Sequence, residues 1–139
     1  MKLVQTVILL IFSFYSFSAL AEEETPDQLE GATKINAEQL FELVEEHDDL
    51  VIIDSRKTSD RQGGYIESSV GLQDTDTDEA ALASHIASKS TPVIFYCNGP
   101  KCGRSYKAGK LAISLGYTSV FWFRGGWEEW TNKGLPVTK

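Results

Sequence analysis

The chain predicts an α/β domain, a central parallel sheet with helices on both faces. Leu50 to Ile53 and Pro92 to Tyr96 are apolar runs of the kind strands covered on both sides require. Segments with helical spacing separate them, which argues for parallel pairing through crossovers. The chain has 139 residues, room for one core and not two. With 42% apolar and 24% charged residues, collagenous, low-complexity and fully disordered classes are excluded.

The elements follow in order. Residues 22 to 33 are polar, carry Pro26 and Gly31, and read as a flexible lead-in. Asn36 caps a helix whose third residue is Gln39 and whose apolar face is Leu40, Phe41, Leu43, Val44 and His47. Leu50 to Ile53, ending in Asp54, is the first buried strand. Val70 to Leu72 is a very short strand, and Asp78 to Ser88 a helix with Leu82 and Ile86 on one face. After the strand at Pro92 to Tyr96 a helix starts near Arg104, with Ala108, Leu111, Ala112 and Leu115 inward and Gly116 ending it. Ser119 to Phe123 is a further strand. Gly125-Gly126 opens a short helix with Trp127 and Trp130.

Met1-Lys2, the apolar run Val7 to Phe17, Ala19-Leu20-Ala21 and Glu22-Glu23-Glu24 have the order of a secretory signal peptide cut after Ala21. A periplasmic or secreted product follows, with no membrane association after leader removal. The formal charge is -7, thirteen Lys and Arg against twenty Asp and Glu, which disfavours nucleic-acid partners. A monomer is expected. Cys97 and Cys102 do not have zinc-ligand spacing, and His47 and His85 have no ligand-like relation to them, so no metal or cofactor is expected.

The informative segment runs from Val93 to Ser105. Cys97 stands at the carboxyl end of a buried strand, before a Gly-rich turn and a helix start, where backbone N–H groups can converge on an anion. Lys101 and Arg104 add positive charge, and both effects favour thiolate over thiol. Cys97 is therefore a candidate nucleophile; it can also be read as a small apolar residue closing a core strand. Cys102 is open between a loop residue, a resolving thiol and a disulfide partner.

Asp54-Ser55-Arg56, Asp60, Gly64-Tyr65-Ile66, Tyr96-Cys97, Arg104-Ser105 and Gly125-Gly126-Trp127 with Trp130 stand in the order of the signatures of the rhodanese superfamily, which the chain resembles from about Ile35 to Val137. The resemblance implies a three-layer rhodanese-like domain over residues 34 to 139. It further implies a single-domain, exported sulfurtransferase that moves a sulfane sulfur from a small donor such as thiosulfate, through a Cys97 persulfide, to a thiol or cyanide acceptor or a protein sulfur acceptor. Asn98, Gly99, Pro100, Lys101, Cys102 and Gly103 would form the cradle, and Arg104 the anion-binding or loop-orienting group. The chain departs from the family in placing Arg104 seven residues after Cys97 where five is usual, and Tyr65 where His is usual. Other readings are a reversible Cys97–Cys102 disulfide in a redox protein and a non-catalytic carrier or partner-binding domain; a phosphatase is weaker, since such loops set Cys and Arg six apart.

Remaining signals have bland readings. Asp54 and Arg56 read as a salt bridge bracing the first loop. Asp74, Asp76 and Asp78 read as a solvated acidic loop, because Glu79 stands where a calcium loop needs Gly. The aromatics from Phe121 to Trp130 read as core, Trp127 being the exception that could meet a ligand.

Overall fold

The computed structural model describes residues 24 to 139. The expected leader, residues 1 to 21, lies outside the described residues. Five strands, β1 (Ala32–Lys34), β2 (Val51–Asp54), β3 (Val70–Gly71), β4 (Val93–Tyr96) and β5 (Val120–Phe123), form one sheet in the order β1-β5-β4-β2-β3. Every pair is parallel. The helices are α1 (Ala37–Glu46), α2 (Thr58–Arg61), α3 (Glu79–His85), α4 (Arg104–Ser114) and α5 (Gly126–Asn132).

Alternation along the strands divides the core in two. Ile52, Ile94, Tyr96 and Phe123 pack with Leu40 and Leu43 of α1 and Trp130 of α5. Ile53, Val93, Phe95 and Val120 pack with Leu82 of α3 and Ala108 and Ala112 of α4 on the other face. Both faces of β2 and β4 are thus buried, which is why their sequences are apolar without alternation. The three-layer α/β architecture is the one the sequence predicts.

Local signals account for the ends of the helices. Asn36 Oδ1 accepts from the Gln39 amide and Gln39 Oε1 accepts from the Asn36 amide, each at 2.9 Å, a reciprocal cap on α1. Asp78 caps α3 by accepting from the Ala81 amide at 2.8 Å.

Several expectations are corrected. The lead-in does not stand apart from the domain: Leu29 is buried, its Cδ2 lying where a Cβ on Gly109 of α4 would sit 2.9 Å away, and Ala32–Lys34 adds β1 to the sheet beside β5. Long-range burial of one leucine outweighs the polar composition around it. Phe41 and Val44 of α1 are 41% and 47% exposed, so the buried stripe is narrower than expected. Asp74 is no solvated acid: it sits in a 3-10 turn (Asp74–Asp76) and pairs with Arg104.

Candidate active site

Cys97 follows the last residue of β4 and is 1% exposed. Its sulfur is bonded to that of Cys102, with the two Cα atoms 6.1 Å apart. The nucleophile expected as a thiolate is therefore held as a disulfide in this structure, and of the alternatives open for Cys102 the structure shows the disulfide partner. Cys102 is the more exposed of the two. It lines an open cleft of about 330 Å³ together with Lys57, Asp60, Lys101, Arg104 and Glu128. A larger, mostly apolar cleft of about 430 Å³ lies between α1 and the carboxyl-terminal segment, and no residue of the Cys97 loop lines it.

The carbonyls from Cys97 to Pro100 are each engaged by a neighbour. The Trp127 and Glu128 amides, at the start of α5, donate to the Cys97 and Asn98 carbonyls at 2.8 Å each. Thr25 of the lead-in donates to the Pro100 carbonyl through its amide at 2.8 Å and its hydroxyl at 2.7 Å. Cys102 N–H closes a turn onto the Gly99 carbonyl at 3.0 Å. All described peptide bonds are trans, and in a trans peptide the N–H points opposite to the C=O. The amides of Asn98, Gly99 and Lys101 thus point away from α5 and the lead-in. No side chain caps α4 at Gly103, so the first-turn amides of that helix also lack a side-chain acceptor.

Gly126 explains the double glycine. It has φ of 54°, and a Cβ there would overlap the Cys97 carbonyl, so only glycine lets α5 approach closely enough to donate to the loop.

The flanks are charged, and two of their groups are paired. Arg104, expected at the anion, turns to Asp74; a guanidinium beside a largely buried carboxylate finds its counter-charge there rather than at the sulfur. Asn98 is exposed and donates to Asp60 Oδ2 at 3.1 Å. Lys101 is exposed beside the cleft.

Beneath the loop, fully buried Asp54 accepts from Arg56 Nε at 2.9 Å, Arg56 Nη2 at 2.7 Å, Arg61 Nη1 at 3.0 Å and Tyr96 Oη at 2.8 Å. Arg56 Nη2 also donates to the Gly64 carbonyl at 2.9 Å, and the guanidinium lies 4.5 Å from the Trp127 ring centroid. Trp127, the aromatic left open for a ligand, is thereby occupied by Arg56. Burial pushes the Asp54 carboxyl up, but the Arg56 hydrogen bonds and charge outweigh it and hold the carboxyl below its usual range. Burial and the Asp54 charge push the Tyr96 phenol up to about 12. Asp54 and Arg56 brace the first loop, as their sequence reading has it. Arg61, which also donates to the Ser69 hydroxyl at 2.8 Å and carbonyl at 2.6 Å, completes this network and was not singled out by the sequence.

The strand-end cysteine, the loop held by a helix start and the Asp54–Arg56 brace agree with a match of residues 36–133 to the model of the rhodanese-like domain. This chain belongs to the rhodanese-like domain family. It is 31% identical over 101 residues to the rhodanese domain-containing protein CG4456 of Drosophila melanogaster, covering 65% of this chain and 89% of that protein. Among solved structures, the BH2092 protein of Bacillus halodurans superposes with a TM-score of 0.68 at 21% identity, over 77% of each chain. The polysulfide-sulfur transferase homodimer of Wolinella succinogenes does so with a TM-score of 0.63 at 21% identity, over 78% of this chain and 79% of that one. These two show that the rhodanese-like fold is shared.

Sequence reasoning missed Thr25, Asp60 and Asp74 as partners of the loop. No local signal marks Thr25, which meets Pro100 across 75 positions. Ser55, between the signature residues Asp54 and Arg56, was also passed over; its place directly after β2, which is paired in register with β4, was the signal available.

Proposed function

We propose that this rhodanese-like domain is an exported sulfurtransferase that works from its reduced state, with Cys97 carrying the sulfur. The supporting observation is the loop itself: the Cys97, Asn98 and Pro100 carbonyls are drawn off by α5 and Thr25, which leaves the amides of Asn98, Gly99 and Lys101 turned the other way, free to receive an anion. Once the disulfide is opened, the Cys97 thiolate attacks the outer sulfur of a donor such as thiosulfate. The S–S bond of the donor breaks, sulfite leaves with the electron pair, and a Cys97 persulfide remains. A thiol or cyanide acceptor then takes the outer sulfur and returns the thiolate.

The disulfide favours a second, linked reading, that the domain cycles between dithiol and disulfide. Only Cys102 lines the cleft, so a reducing thiolate would attack Cys102 Sγ and expel the Cys97 thiolate, and a second thiol of the reductant would free Cys102. A standing disulfide also suits the oxidising compartment to which the leader would deliver the chain.

Mass spectrometry of the reduced protein after thiosulfate separates the two. A cyanide-labile added sulfur on Cys97, absent in Cys97→Ser and present in Cys102→Ser, is the expected result. No adduct on the fully reduced protein, with a disulfide that reforms reversibly in a glutathione buffer, would leave the redox reading alone.

A further inference from the structure

Ser55 Oγ is a buried side-chain polar atom that has no hydrogen-bond partner in the structure. The residue is fully buried. A hydroxyl in that condition is costly, because it has surrendered its water and received nothing.

The strand register gives the side of the sheet on which it lies. Asp54 of β2 lies opposite Tyr96 of β4, and the two side chains meet through the phenol. The ladder continues one step, since the Ser55 amide donates to the Tyr96 carbonyl at 2.9 Å. Side chains alternate along a strand, and carrying that alternation one residue past each strand's end turns Ser55 and Cys97 to the opposite face, the one α4 covers. Ile53 and Phe95, two positions earlier on the same two strands, already pack together on that face with α4.

We propose that Ser55 Oγ is the hydrogen-bond donor for the Cys97 sulfur once the disulfide is open. In the disulfide the sulfur is tied toward Cys102 and carries no charge, and the hydroxyl has no acceptor. Attack at the accessible Cys102 expels Cys97 as a buried thiolate, with the loop amides on one side and the serine hydroxyl on its own face. The orphaned hydroxyl then gains an anionic acceptor, a stronger one than any neutral group. The serine gives up no proton; it only donates a hydrogen bond. This assignment rests on the reduced state invoked under the proposed function, though not on sulfur transfer itself.

The test compares Cys102→Ser with Cys102→Ser/Ser55→Ala, in which Cys97 is the sole thiol. Thiolate absorbance near 240 nm is followed against pH. Loss of a hydrogen bond to a charged sulfur should raise the midpoint by about one pH unit, a roughly tenfold lower thiolate fraction on the acid side. In the protein with both cysteines, Ser55→Ala should shift the glutathione equilibrium about tenfold toward the disulfide. It should leave the melting temperature of the oxidised form unchanged or higher, since it removes an unpaired hydroxyl. Equal midpoints and an unmoved redox equilibrium would overturn the proposal. Shifted midpoints without sulfur uptake on Cys97 would sink the sulfurtransferase reading and leave Ser55 assigned; sulfur uptake with equal midpoints would do the reverse.

Discussion

Asp54 and Arg56 are both shut off from water, and neither is stable there without the other. Asp54→Asn keeps the shape and removes the charge, stranding a guanidinium whose side chain is 1% exposed. Urea denaturation should show a loss of about 3–5 kcal/mol. The folded Asp54 carboxyl titrates below its unfolded value, so its contribution is complete above about pH 4 and disappears as pH falls through the lowered folded value. The acid limb of the stability curve should therefore flatten in Asp54→Asn. Tyr96 has the opposite sign. Its folded value, pushed up to about 12, exceeds an unfolded value of about 10, so stability falls as pH rises from roughly 10 toward 12. Tyr96→Phe should lose that alkaline slope and some stability at neutral pH, where the phenol's 2.8 Å bond to Asp54 is gone. The pairing of Asp54 with Arg56 was legible because the two stand two residues apart. Arg61 was not, because its role depends on the loop after α2 folding back to bring Ser69 within reach.

Among the elements, α5 has the most direct hold on the site. Its first amides support the Cys97 and Asn98 carbonyls, and Gly126 sets how near it comes. Gly126→Ala should lower stability by roughly 2–3 kcal/mol, from a side chain forced to positive φ and against a carbonyl. Faster exchange of the Trp127 and Glu128 amides with solvent deuterium would mark the loosened contact; unchanged exchange would show that α5 does not depend on the glycine. Asn36→Ala, at a cap that makes no hydrogen bond to the loop, should cost about 1 kcal/mol with those amides unchanged. The cap at Asn36, the double glycine and the apolar strands were all readable, since each is a local pattern of residue type and spacing. β1 was not: Ala-Thr-Lys carries no strand signal and becomes a strand only because β5 offers it an edge.

At the scale of the whole molecule, the lead-in is a strap across the far side of the loop. Arg124, just after β5, donates to the Thr25 carbonyl at 2.8 Å, Thr25 grips Pro100, and Leu29 is seated on α4 at Gly109. Leu29→Ala should cost roughly 2–4 kcal/mol in denaturant. It should also raise exchange of the Cys102 amide, whose bond to the Gly99 carbonyl closes the turn around the Pro100 that the strap holds; a stability loss with unaltered exchange there would separate the two. Sequence alone determined the α/β class, the position of Cys97 at a strand end and the acidic brace, because burial on two faces, strand-to-turn transitions and close charge pairs are written in neighbouring residues. Tertiary structure alone decided that Cys97 is joined to Cys102, that Arg104 answers to Asp74, and that Thr25 holds the loop. Each of these depends on which surfaces meet when distant segments pack, and a one-dimensional pattern carries no record of that distance.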